Sequence, residues 1–146
     1  MPDGYGTDVL LWSEHQARLL RRFAAGEAAN ETPDWPNIAE EIESVGNEQL
    51  HAVTSLLVQA LVHLLKAEAW PACGEVPQWL AEARRFRDDA ADRYTPSMRE
   101  RIDIAHIHRR ALRAMPETID RLLPGPIRTD MPALEILLQE DDRITS

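Results

Sequence analysis

The sequence predicts an all-α protein, a compact bundle of four main helices with a long central second helix and a short C-terminal one. Three observations carry this reading. Apolar residues recur at steps of three and four over long stretches, and no useful length alternates apolar with polar as a half-buried strand would. Proline and glycine interrupt the chain where the periodic stretches end, as at Gly26, Pro71, Pro96 and Pro124-Gly125-Pro126. A chain of 146 residues fits one domain, 1–146, large enough to bury about two-thirds of the surface its unfolded form exposes.

The first helix is expected from Thr7 or Asp8 to about Gly26. Either residue can accept from exposed first-turn amides, and Gly26 suits the left-handed terminating conformation. Leu10, Leu11, Trp12, Leu19, Leu20 and Phe23 form its expected apolar stripe. Arg18, Arg21 and Arg22 fall near the carbonyl end, where positive charge opposes the helix dipole favourably.

The second helix is expected to follow a cap at Asp34, with Pro36 where a missing amide costs little. Ile38, Ile42, Val45, Val53, Leu56, Ala60 and Leu64 repeat on one face as far as Trp70-Pro71. Unbroken, this helix would exceed about 50 Å. A bend is therefore expected at Gly46-Asn47, where glycine costs roughly 1 kcal/mol and admits a close neighbouring backbone. Beyond it, leucines and valines surround the axis and mark that half as central.

A third helix is expected over 76–91, burying Trp79, Leu80, Ala83, Phe86 and Ala90. A fourth is expected from Ser97 to Met115, burying Met98, Ile102, Ala105 and Leu112. Thr118 to Leu123 reads as a short turn, and a last helix from Met131 to Gln139 docks through Leu134, Leu137 and Leu138. Asp141 to Ser146 is expected to fray.

The net charge of −9 is unevenly spread. Asp34 to Pro71 holds six acids against Lys66, whereas Met98 to Thr129 holds seven arginines against four acids. An acidic protein disfavours non-specific nucleic-acid binding, which needs several cations on one face to displace counterions. No basic, apolar leader opens the chain, and Gln59 and His63 break the longest apolar run, so a cytoplasmic protein without a membrane span is expected. The single cysteine, Cys73, has no partner for an internal disulfide.

With these segments in order, the chain resembles the domain of unknown function 29 family found in bacteria. The resemblance rests on Tyr5-x-x-Asp8-x-x-Leu11-Trp12, on Asp34-Trp35-x-Asn37-Ile38-Ala39-Glu40-Glu41-Ile42-Glu43-Ser44-Val45-Gly46, and on His63-Leu64-Leu65-Lys66 followed by Trp70-Pro71. Trp79 and Tyr94-Thr95-Pro96-Ser97-Met98-Arg99 extend it. It implies an all-α fold and brings no substrate, cofactor or catalytic residue.

Candidate chemistry is sparse. Glu48-x-x-His51 and Asp103-x-x-His106 have the acid-histidine spacing of metal-binding bundles, but charged helices produce it by chance, and His51 projects away from the apolar stripe. No metal or other cofactor is assigned. His63 and His108 lie on or beside apolar stripes and, with Gln59 one turn before His63, form the candidate ligand-binding set. No Gly-x-Ser-x-Gly turn or phosphate-cradling loop occurs, and no catalytic residue is assigned. The expected function is non-enzymatic, through a protein partner or self-association, with Trp12, Trp35 and Trp79 as candidate anchors. The alternative is a metal-binding or small-ligand-binding bundle centred on His63 and His108.

Overall fold

Capping and apolar spacing produce four main helices: α1 Val9–Ala24, α2 Trp35–Ala69, α3 Val76–Arg93 and α4 Ile104–Ala114. A short α5, Leu134–Leu138, follows, and a single 3-10 turn, Pro96–Met98, precedes α4. The computed structural model describes residues 4–28, 30–127, 130 and 132–138. Among them no strand forms, only an isolated bridge between Ile119 and Leu122. Met131 and Gln139, expected in the last helix, and the segment 141–146 lie outside the described residues.

Contacts divide the chain into two units, Met1–Asn47 and Glu48–Ser146, and α2 runs through both. In the first unit, Asp8 caps α1 by accepting from the Leu11 amide at 3.1 Å. Gly26 ends the turn after it with φ +73°, a conformation in which a side chain would be strained. Antiparallel pairing of α1 with the start of α2 follows from two contacts. The Tyr5 hydroxyl, ahead of α1, donates to Glu41 at 2.7 Å, while Phe23, at its end, meets Trp35 edge-on at 5.7 Å.

Two helices can bury only one side of each other, and this corrects the expected stripes. Trp12, Gln16 and Leu19 are buried on α1, with Ile38 opposite on α2. Leu10, Leu11 and Phe23, expected inside, are 68%, 61% and 64% exposed, and Ile42 and Val45 on α2 are exposed as well. The helix runs unbroken through Gly46, and a Cβ there would meet nothing within 4 Å, so the close approach of a neighbouring backbone expected at this glycine is not made.

In the second unit Val53, Leu57, Leu61 and Leu65 of α2 pack with Ala90 of α3, Ile107 and Ala111 of α4, and Leu134 and Leu137 of α5. By length and hydropathy α2 could cross a membrane, contrary to the expectation that Gln59 and His63 interrupt it enough to exclude that. A third of its most apolar window is buried within the protein. The fourth helix starts seven residues later than expected, because Pro96–Met98 forms a separate turn and Asp103 provides the cap. Its buried positions are accordingly Ile107 and Ala111, while Ala105 is half-buried and Leu112 is exposed. On α3, Leu80 is exposed and Phe86 half-buried, leaving Trp79, Ala83 and Ala90 inside.

A smaller cluster joins Ala69, Trp70 and Trp79. The Trp70 indole donates to the Leu122 carbonyl at 3.0 Å, and the Gly125 amide donates to the Ala69 carbonyl at 2.7 Å. Glycine eases that approach, since a Cβ at position 125 would lie 3.1 Å from the Ala69 oxygen and push it back by a few tenths of an ångström. Between Ile119 and Leu122, Asp120 and Arg121 both take positive φ, so the segment expected as a short turn is a tight reversal of two left-handed residues.

Candidate functional site

Three local arrangements hold the polar and aromatic residues singled out by the sequence. The first is centred on Asp34. One carboxylate oxygen accepts from the Asn37 amide at 2.7 Å and from the Trp12 indole at 3.1 Å, while the Asp34 amide donates to Gln16 Oε1 at 2.7 Å. Asn37 chiefly, then Trp12, holds the Asp34 carboxyl below its ordinary value of 3.8, against a smaller opposing effect of desolvation. Tyr5 stacks edge-on with Trp12 at 4.8 Å, and its hydrogen bond to Glu41 pushes the phenol up to about 12. These bonds join α1 to the start of α2 through Trp12, Gln16 and Asp34.

The second lies along the α2–α3 seam, where the helices run antiparallel. His63 Nε2 is 3.2 Å from Glu82 Oε2, its ring stacks on Phe86 at 5.6 Å, and Lys66 lies 4.6 Å over the Trp79 ring. Glu82 also accepts from Gln78 at 3.2 Å. Burial pushes the His63 imidazole below its ordinary 6.5, outweighing the pull of Glu82, with Lys66 and Arg85 adding to the depression. Burial thus favours the neutral ring, which sits beside the Glu82 carboxylate. Its other nitrogen, Nδ1, is buried with no hydrogen-bond partner among the described residues.

Gln59, one turn earlier, is exposed and lines a recess of about 650 Å3 with Ser55, Leu56, Asp89, Asp92 and Arg93. Neither His63 nor His108 lines that recess. His108 is half-buried on α4. The sequence placed Phe86 on the buried face of the third helix but did not single out Glu82, although Glu82 follows Trp79 at helical spacing and so shares its face toward α2.

The acid-histidine pairs have structural explanations. Asp103 Oδ1 accepts from the His106 backbone amide at 3.2 Å, so its three-residue spacing is that of a helix cap and the amide it covers. Glu48 and His51 are exposed on α2. Among the described residues no group of three or more acids, histidines and cysteines could hold a metal ion.

The third arrangement is apolar. Val9, Leu10, Leu11, Phe23, Trp35, Ile42 and Val45, all in the first unit, are each at least 45% exposed. Of the candidate tryptophan anchors, Trp12 and Trp79 are 5% and 4% exposed and serve as core, while Trp35 remains accessible at 45%.

The fold and these sites define an all-α helical protein whose first two helices leave much of their apolar surface outside. It belongs to the family described as domain of unknown function DUF29, whose model matches residues 5–133. It is similar in structure to an α-helical protein of unknown function from Rhodospirillum rubrum, at 28% identity and a TM-score of 0.58, covering 94% of this chain and 90% of that one. No curated protein matches the chain.

Proposed function

We propose that this protein acts by association, docking on another protein surface through its first unit. One observation carries the reading: seven large apolar residues of a two-helix unit stand exposed, more than scattered single exposures account for. Burying such a surface yields about 25 cal/mol per Å2, the usual driving force of association. The polar groups around Asp34 brace the hairpin that presents it.

Site-specific photocrosslinking tests the reading. A benzophenone side chain at Ile42 or Val45 is expected to give discrete adducts in cells, and one at Glu100, exposed in the second unit, none. Equal labelling at all three positions, or no adduct at Ile42 and Val45, refutes it.

A second reading, small-ligand binding, is supported by the Gln59 recess, whose volume lies within the range of small-molecule sites and whose walls combine Asp89, Asp92 and Arg93 with the apolar Leu56. The candidate residues His63 and His108 belong to this reading through their half-buried positions on α2 and α4. Elemental analysis and ligand-dependent shifts in melting temperature test it. A purified protein that carries no stoichiometric metal and whose melting no small-molecule panel moves refutes it.

A further inference from the structure

The geometry points to a second copy of this chain as the occupant of the exposed hairpin face, with α1 of each protomer lying on the first half of α2 of the other. The inference rests on the association reading above and names its partner.

The face follows from helix handedness. On α1, Leu10, Ala17 and Leu20 lie about a quarter-turn or more beyond the buried stripe of Trp12, Gln16 and Leu19, in the direction of chain advance. On α2, Trp35, Ala39 and Ile42 lie about as far beyond the buried side marked by Ile38 and the half-buried Asp34 and Glu41. Because the helices run antiparallel, the same rotational offset brings both sets out on one side of the hairpin. Leu10 and Ile42 are each 68% exposed, and the small residues between the large ones permit close approach of a helix.

Area and charge then favour a second copy. With the small residues and Val9 at its edge, the face exposes on the order of 600 Å2 of apolar surface, about three-quarters of the ~800 Å2 each partner contributes to a standard interface. Within α1, one glutamate stands against three arginines, a net of +2. Residues 35–47 of α2 hold three glutamates and no base; Glu41 is turned to its own α1 and bonded to Tyr5, leaving Glu40 and Glu43 outside, a net of −2. A two-fold axis along the helices sets each basic α1 over the partner's acidic α2, whereas pairing like with like would oppose equal charges. The product is a four-helix arrangement in which neighbouring helices are antiparallel.

The test combines mass with cross-linking. Sedimentation at micromolar concentration is expected to give twice the chain mass of 16.6 kDa. Leu10→Glu and Ile42→Glu should each weaken dimerisation at least about 30-fold, as loss of an interface hot spot does, with helical circular dichroism per residue retained. In a Cys73→Ser background, a mixture of Ser13→Cys and Ala39→Cys proteins should oxidise to the mixed dimer faster than either protein alone forms its own. These small substitutions on an exposed face also serve if a glutamate variant fails to fold.

A wild-type monomer at 100-fold higher concentration overturns the dimer while leaving the association reading to its crosslinking test. Photoadducts at Ile42 of any mass other than twice the chain likewise support association and overturn this partner. A dimer that survives both glutamates, or cysteine variants that pair equally well with themselves, overturns the arrangement.

Discussion

Replacing Ile107 and Leu112 one at a time by alanine tests the rotational setting of α4, which the structure and the apolar spacing place differently. Ile107 is fully buried in the larger core cluster, whereas Leu112 is 39% exposed. Ile107→Ala removes the equivalent of about three methylenes, roughly 2 to 2.5 kcal/mol of transfer energy at ~0.8 kcal/mol each. Walls supplied by α2, α4 and α5 close around the gap. An unrelaxed cavity of about 50 Å3 adds ~1 kcal/mol, for a total near 3 to 4 kcal/mol. Leu112→Ala loses a fraction of the transfer energy, leaves no enclosed cavity and gains helix propensity, for a net cost of about 1 kcal/mol or less. For a chain of this size the first loss lowers the melting temperature by about 6 to 16 °C and the second by at most ~4 °C. Urea unfolding followed by circular dichroism, at constant protein concentration and with the slope checked for constancy, reads both. Equal costs, or a larger cost at Leu112, would refute the assigned register of the helix.

The remaining expectations concern single positions. Gly46→Ala should stabilise by about 0.5 to 1 kcal/mol, because the position is helical and exposed and the new Cβ enters open space; a loss of stability by urea titration would show that the glycine is needed. Asp103→Ala should cost about 1 kcal/mol by removing the cap of α4, with Asp103→Asn or Asp103→Ser restoring most of it, and divalent metals should leave the melting temperatures of all these proteins unchanged. His63 favours its neutral form when folded, so the unfolded chain binds the extra proton near pH 6.5. Its contribution is complete above that pH and is lost as pH falls toward the depressed folded value, and His63→Phe should flatten that part of the stability-pH curve. An unchanged slope between pH 7 and 5 would contradict the burial assigned to the ring.

Local signals identified most helices because they act within a few residues. Asp8 capped α1, Gly26 took its left-handed place, and Val53 to Leu65 proved central because apolar residues on every side of a helix require packing on every side. Spacing failed where a side chain's fate depends on how many elements pack around it. Leu10, Ile42 and Leu80 have the same apolar character and helical spacing as Leu19, Ile38 and Ala83, yet no neighbouring element covers them. Asp103 was legible as part of an acid-histidine pair, but only its bond to the His106 amide distinguishes a cap from a ligand.

By itself the sequence determined the helical class, most helix termini and the half of α2 that would be central. Periodicity, caps and proline breaks act over one or two turns, and the chemistry of those turns suffices to set them. Tertiary structure decided which apolar residues stay outside, and that His63 meets Glu82 and Phe86 while Gln59 faces a separate recess. Each of those outcomes depends on the distance and angle between helices far apart in the chain, which no local pattern encodes.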